Sequence, residues 1–213
     1  MGAINLSKQT VNLSKGETIN LSKASEGLKE VMVGMGWDPV KVGFLQRLFG
    51  EGSRFEYDLD VYIVMLRDGS FSGNRDDIVF YNNLQYRHNG MTVIKHHGDN
   101  LTGRGAAGDK EQISINLAEI PKKFNELIVA VTLYQGVQRH QSLGVIKNMF
   151  VRVVDKADDF ELCNFRDKGM TEDFNAQSFV VGRFFREGGE WQFGAIGKPT
   201  RHGSVGELAE SYR

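Results

Sequence analysis

Glycine-marked turns recur along this chain between short runs of alternating apolar and polar residues, and helical periodicity is scarce. Side chains alternate faces along a strand, so alternation is the signature of a half-buried strand. Runs of this kind, or short wholly apolar ones, fall at 28–33, 55–65, 78–81, 91–95, 112–117, 127–133, 150–154, 178–185 and 191–196. Arg67-Asp68-Gly69-Ser70, Asn89-Gly90 and Gly188-Gly189 separate several of them and read as tight turns. The segments 118–124 and 145–148 each offer room for a turn of helix, and 40–54, with its apolar 44–50, reads as one helical turn or an apolar loop flap. The pattern predicts an all-β, two-sheet β-sandwich with short helical turns in its connections. Nothing resembling a linker or a low-complexity tract divides it, so residues 1–213 are expected to form one domain.

Three near-copies open the chain: Ile4-Asn5-Leu6-Ser7-Lys8, Val11-Asn12-Leu13-Ser14-Lys15 and Ile19-Asn20-Leu21-Ser22-Lys23. Each alternates, and Lys15-Gly16-Glu17-Thr18 looks like the turn between two of them. Residues 1–23 are therefore expected to be repeat strands forming an N-terminal hairpin or meander. A solenoid would need more copies at a uniform period.

The charge balance is close to neutral, at -1. That gives no global pull towards nucleic acid or anionic membranes. Cys163 is the single cysteine, which excludes an intrachain disulfide and a cysteine-rich zinc site. No apolar run is long enough to span a bilayer, and the N-terminus lacks the apolar core of a signal peptide. Gly2 raises the question of myristoylation, but Leu6 stands where the motif wants Ser or Thr. The expectation is a soluble, cytoplasmic protein. Cys163, beside Leu162, reads as a small buried hydrophobe, and Trp37 and Trp191 as core aromatics.

Acidic side chains gather around two segments. In 55–63, Phe55, Tyr57, Leu59, Val61 and Ile63 share one strand face, and Asp58 and Asp60 share the other, roughly 7 Å apart. Neighbouring carboxylates repel, so solvent, a basic neighbour or a cation must offset them. A solvated strand face is one reading. The second segment gives weight to a cation: His97-Gly98-Asp99-Asn100-Leu101-Thr102-Gly103 runs through Gly108-Asp109-Lys110-Glu111 into the next strand. Glycines let such a loop turn sharply, and its side-chain and main-chain oxygens suit Ca²⁺, which takes six to eight oxygen ligands. An EF-hand fails, because Leu101 and Lys110 stand at its third and twelfth positions. A P-loop fails too, because Asp109-Lys110 follows the second glycine and Asp109 would repel phosphate.

With these motifs in view, the chain resembles the TerD family of bacterial tellurium-resistance and stress-response proteins. The matching segments are Gly34-Met35-Gly36-Trp37-Asp38, Tyr57-Asp58-Leu59-Asp60, Val79-Phe80-Tyr81-Asn82-Asn83 and the glycine loop. Further on come Gln141-Ser142-Leu143-Gly144, Phe150-Val151-Arg152, Glu161-Leu162 and Gly189-Glu190-Trp191-Gln192-Phe193-Gly194-Ala195-Ile196-Gly197. The resemblance implies a cytoplasmic sandwich that binds one or two Ca²⁺ ions and acts by binding or scaffolding, with no catalytic residues. The metal set it implies is Asp58, Asp60, Asp99, Asn100, Gly103, Asp109 and Glu111. Expected partners are calcium ions and other stress-response proteins, with no nucleic acid. Lys110, Ala106-Ala107, the 40–54 segment and the extra N-terminal copy depart from the family pattern. Lys110 in particular is expected to weaken cation binding or remove one site. Two alternatives remain at this point: a metal-assisted hydrolase using the acidic cluster with His97, and an interaction scaffold without ions.

Overall fold

The computed structural model describes residues 8–38, 57–99, 108–166 and 173–213, without the side chain of Asp99. Ile4–Ser7 of the first N-terminal copy, Gly2, the 40–54 segment, Phe55, Asn100 and Gly103 lie outside the described residues.

Thirteen described strands form two sheets. In chain order they are β1 Val11–Leu13, β2 Thr18–Asn20, β3 Glu30–Gly36, β4 Leu59–Leu66, β5 Ile78–Val79, β6 Gln85–His88, β7 Met91–Asp99, β8 Glu111–Asn116, β9 Glu126–Leu133, β10 Phe150–Asp155, β11 Phe160–Arg166, β12 Ser178–Glu187 and β13 Glu190–Thr200. One sheet runs β1-β11-β10-β3-β8-β7-β6, the other β2-β13-β12-β9-β4-β5. Between them lies the main core, including Val33, Val61, Ile63, Ile113, Val131, Val153 and Phe179. The expected two-sheet β-sandwich is what the chain adopts.

The turn chemistry holds where it was specific. Asn89 and Gly90 have φ of 49° and 78°, and Gly188 and Gly189 have 59° and 86°. Positive φ at both central residues is what a two-residue hairpin turn needs. They join β6 to β7 and β12 to β13.

The N-terminal copies do not form a hairpin. β1 adds in parallel to β11, and β2 adds antiparallel to β13 in the opposite sheet. The turn at Lys15-Gly16 carries the chain across, held by Gly16 N–H donating to Ala195 O at 2.8 Å. The third copy turns helical after its first two residues: α1, Leu21–Ala24, is capped by the Asn20 side chain accepting from Lys23 N–H. Alternation fixed the strand character of 11–13 and 18–20, but edge pairing with β11 and β13 replaced pairing with each other. The 118–124 segment is likewise turn rather than helix, and the second helical turn is a 3₁₀ segment at Leu143–Val145.

Strand β4 differs from the half-buried strand expected, because every residue in it is buried. Leu59, Val61, Ile63 and Met65 face the main core. Tyr62, Val64 and Leu66 face outwards, into a second apolar cluster with Ile128, Val180, Val205, Leu208 and Ala209. The last three belong to a C-terminal helix, α2, Val205–Glu210, which covers this outer sheet face. Ser204 accepts from Glu207 N–H at 3.2 Å, and Glu207 accepts from Gly203 N–H at 2.8 Å. That reciprocal cap starts the helix where the sheet needs a cover.

Candidate functional site

Asp60 lies beside Thr132 of β9 on the outer face of β4, and is only 7 % exposed. Asp58 stands just before the strand, and its carbonyl accepts from Tyr134 N–H at 2.9 Å. Helix α2 covers the apolar part of this sheet face. Beyond its first turn, over Asp60, the face opens into a cavity of about 600 Å³. The cavity wall includes Tyr81, Asn82 and Asn83 of one family-like motif, together with Tyr134.

The glycine loop is anchored to the same end of β4 from within the sandwich. Glu111, 2 % exposed, reaches across from β8, and its Oε2 accepts from Val61 N–H at 2.6 Å. His96 of β7 bonds the Val61 carbonyl through Nε2 at 3.0 Å, while Gly98 N–H donates to its Nδ1 at 2.9 Å. An amide can only donate, so Nδ1 carries the lone pair and the proton sits on Nε2. The ring is therefore the neutral tautomer and donates to Val61. Its 3.7 Å approach to Glu111 is a contact of a neutral imidazole, not an ion pair. β5 pairs with β4 only at Ile63 and Val64, so these two side chains satisfy main-chain groups of Val61 that no longer strand supplies. A bulge makes this possible: β7 pairs with β8 at His96↔Ile113 and again at Asp99↔Glu111, with Gly98 at a φ of 74° inside the extra residue.

Asp109 is elsewhere. It is fully buried on the outer face of the seven-stranded sheet, over Gly34. Arg152 of β10 grips it with a fork, Nε to Oδ1 at 2.9 Å and Nη2 to Oδ2 at 2.7 Å. Gln112 adds a bond to Oδ2 at 3.0 Å. The hydrogen bonds to Asp109 lead those that hold the Arg152 guanidinium above its usual range, against the effect of burial. A Cβ on Gly34 would overlap the Asp109 carboxylate, and one on Gly36 would meet Phe150 and Gly108 O. The Gly34-Met35-Gly36 motif is thus the floor on which the end of the loop lies. Lys110 reaches the Trp37 ring, its Nζ 4.6 Å from the ring centre.

The described members of the expected metal set therefore divide over three places. Asp58 and Asp60 sit at the head of β4, Glu111 is inside the sandwich, and Asp109 is behind the other sheet. Among the described residues no three His, Cys, Asp or Glu side chains gather as a metal cluster. Asp109 does not fit a calcium ligand, since a guanidinium already neutralises it at both oxygens. Asp58 and Asp60 fit, at the surface end of β4 to which Glu111 ties the loop. His97 faces the outside of the seven-stranded sheet, where its Nε2 bonds Ser114 Oγ at 2.8 Å. Burial, with Lys95 and Lys156 nearby, holds its pKa below the usual value. Cys163 is fully buried and its thiol is pushed up to about 12 by burial, so it is not poised as a nucleophile.

A two-sheet sandwich with an acidic strand head and a glycine loop pinned beside it defines the class, and comparison with known proteins gives the family. Residues 9–212 match the TerD domain, and the chain belongs to that family. It is 38 % identical over 208 residues to stress response protein SCP2 of Bacillus subtilis (strain 168), covering 95 % of this chain and 98 % of that one. It is 33 % identical over 201 residues to tellurium resistance protein TerD of Serratia marcescens, covering 94 % of each. A solved structure described as a homologue of the telluride resistance protein TerD, from Streptomyces coelicolor A3(2), shares the fold with a TM-score of 0.57. That structure is 22 % identical and covers 83 % of this chain and 92 % of its own.

Proposed function

We propose that this member of the tellurium-resistance and stress-response family is a calcium-dependent binding module that acts without catalysis. The ion is held at the head of β4 by Asp58 and Asp60, with Asp99, Asn100 and Gly103 from the loop supplying further oxygens. One observation carries the reading: the 2.6 Å bond from Val61 N–H to Glu111 Oε2, which fastens the root of the glycine loop to the residue next to Asp60. Hard oxygen donors on a strand end and on a glycine loop are the donor chemistry Ca²⁺ prefers. Binding would couple the loop to the cavity over Asp60, and so give the protein a surface that changes with ion occupancy. Membership of a family that includes stress response protein SCP2 supports a role for such a surface in stress response, and a cytoplasmic setting suits the free Cys163. The hydrolase alternative gains no support, because His97 and Asp60 lie on the outer faces of opposite sheets.

Calorimetric titration of the full chain with CaCl₂ tests this, alongside Asp60→Asn and Asp109→Asn. Binding is expected in the wild type and lost or weakened at least about tenfold in Asp60→Asn. In Asp109→Asn it should persist in whatever fraction remains folded. Equal heats from wild type and Asp60→Asn would refute the site. A melting temperature unmoved by saturating calcium would refute binding itself, because a ligand specific for the native state must raise it.

A further inference from the structure

The cavity beside the head of β4 is walled by side chains that both donate and accept hydrogen bonds. Asn82, Gln135 and Gln138 bring three amides to it, and each amide offers an oxygen acceptor beside two N–H donors. Arg75 and Asp76, adjacent and both exposed, add donors and acceptors of opposite sign, so the rim is not committed to one kind of ion. Tyr81 supplies an aromatic surface. It is 40 % exposed, and edge-to-face contacts with Phe80 at 5.2 Å and Tyr134 at 5.7 Å hold its ring in place. The Arg139 guanidinium already lies 5.0 Å from the centre of the Tyr134 ring, so Tyr81 is the ring this wall presents. At about 600 Å³ the space is in the range that small molecules occupy.

The backbone is strained where it builds this wall. Gln135 has a φ of 54°, a left-handed conformation that residues with long side chains rarely take. Its carbonyl accepts from Arg139 N–H at 2.9 Å, closing a turn that brings Gln138 back to the same cavity. Glycine would take that φ at no steric cost, so what glutamine adds at this position is its amide. Strained residues of this kind collect at ligand sites. Amides, with a guanidinium and a carboxylate at the rim, match hydroxyl groups, because every hydroxyl also both donates and accepts. A tyrosine ring matches an apolar face. A pyranose ring has both, with hydroxyls around its edge and C–H bonds across its face. We propose that this cavity binds a pyranose sugar, its ring face on Tyr81 and its hydroxyls on the amides of Asn82, Gln135 and Gln138. Asp60 takes no part in holding the sugar, and the site does not depend on the calcium reading.

The test is an NMR titration of the full ¹⁵N-labelled chain with a chelator present. The probes are the methyl pyranosides of glucose, galactose and mannose. Two controls separate their features: sorbitol has the hydroxyls without a ring face, and cyclohexanol has the ring face with a single hydroxyl. At least one pyranoside should give saturable shifts at 75–83, 132–138 and 203–206, and both controls should bind at least about tenfold more weakly. Tyr81→Ala, at an exposed position, should weaken that sugar by about three- to tenfold. Gln135→Gly should weaken it by a similar factor at an unchanged melting temperature, since it removes the amide and keeps the turn. No saturable shift with any of the three sugars, shifts elsewhere, a control that binds as well as the sugar, or unchanged affinity in either variant would each overturn the proposal. If Tyr81→Ala fails to fold, the wild-type probes and Gln135→Gly still decide. Loss of calcium heat with sugar binding intact would refute only the calcium site, and the reverse result only this one.

Discussion

Asp109 and Asp60 are both buried carboxylates on outer sheet faces, and the protein treats them in opposite ways. Asp109 lies under a forked guanidinium with a glutamine beside it, on a floor cleared by Gly34. Asp60 lies at a strand end that opens on a cavity. The first arrangement is closed: its charge is matched from within the chain, by donors on both carboxylate oxygens. The second faces a space that a ligand can enter. Acidic residue type alone does not distinguish a binding group from a structural one. Asp109 is distinguished by the forked guanidinium that the fold sets on both its oxygens, and Asp60 by the cavity beside it.

Removing that counter-charge is the sharpest way to break the comparison. Arg152→Met should leave the Asp109 carboxylate buried without its guanidinium, at a cost of about 3–5 kcal/mol measured by urea unfolding. Arg152→Met with Asp109→Leu should recover most of that loss, because an apolar pair needs no desolvated charge. A single-variant loss below about 1 kcal/mol would mean the pair contributes no more than a surface bridge. Gly34→Ala comes next. Its methyl would occupy the space of the carboxylate, so the loop root must shift, at an expected cost of about 1–3 kcal/mol. A Tyr81 substitution, on the exposed wall of the cavity, should leave stability nearly unchanged by comparison.

This asymmetry was only partly legible in the residues. The glycine loop and the Asp58–Asp60 strand were visible as acidic segments because each is local. The partner of Asp109 was not, since Arg152 is 43 residues away and meets it only through the order β10-β3-β8. Arg152 belongs to the family-like segment Phe150-Val151-Arg152, and the one signal for its role is that a buried acid on a strand end needs a cation within reach. The C-terminal helix also went unread. Its cue was Ser204 with Glu207 three residues on, and its consequence was the wholly apolar outer face of β4 at Tyr62, Val64 and Leu66. Strands bounded by positive-φ pairs were clear because the turn fixes the register locally. The N-terminal copies show the limit of such patterns, because alternation specifies a strand but not the edge it joins.

Asp155 offers an intermediate case between the two sites. It is 3 % exposed, accepts from Ser25 Oγ at 2.5 Å and Ala157 N–H at 2.9 Å, and has the exposed Lys8 at 3.3 Å. Burial disfavours its charge, but those three groups outweigh it and hold the carboxyl below its usual range. The folded chain therefore binds this proton less readily than the unfolded chain does. The stability that results is fully present above the unfolded carboxylate range, about pH 4, and is lost as pH falls through the lower folded value. Asp155→Asn should flatten the wild-type loss of stability over that acid window. An unchanged pH slope would show that the carboxylate has the same affinity for protons in both states.

The smallest expected effect decides where the charge of Lys110 acts. The sequence placed an ammonium inside an acidic loop, where it would compete with a divalent ion. The structure turns it onto Trp37, with Nζ 4.6 Å from the ring centre. If that contact is its main role, Lys110→Met should cost only about 0.5–1 kcal/mol in stability and leave calcium affinity within about twofold of wild type. Trp37→Leu should make the same lysine substitution neutral for stability, the signature of a coupled pair. A rise in calcium affinity of tenfold or more in Lys110→Met would instead return the ammonium to the ion site. The loop root would then hold charge against the metal, as the sequence alone implied, and the contrast between a closed Asp109 and an open Asp60 would need a third, repulsive member.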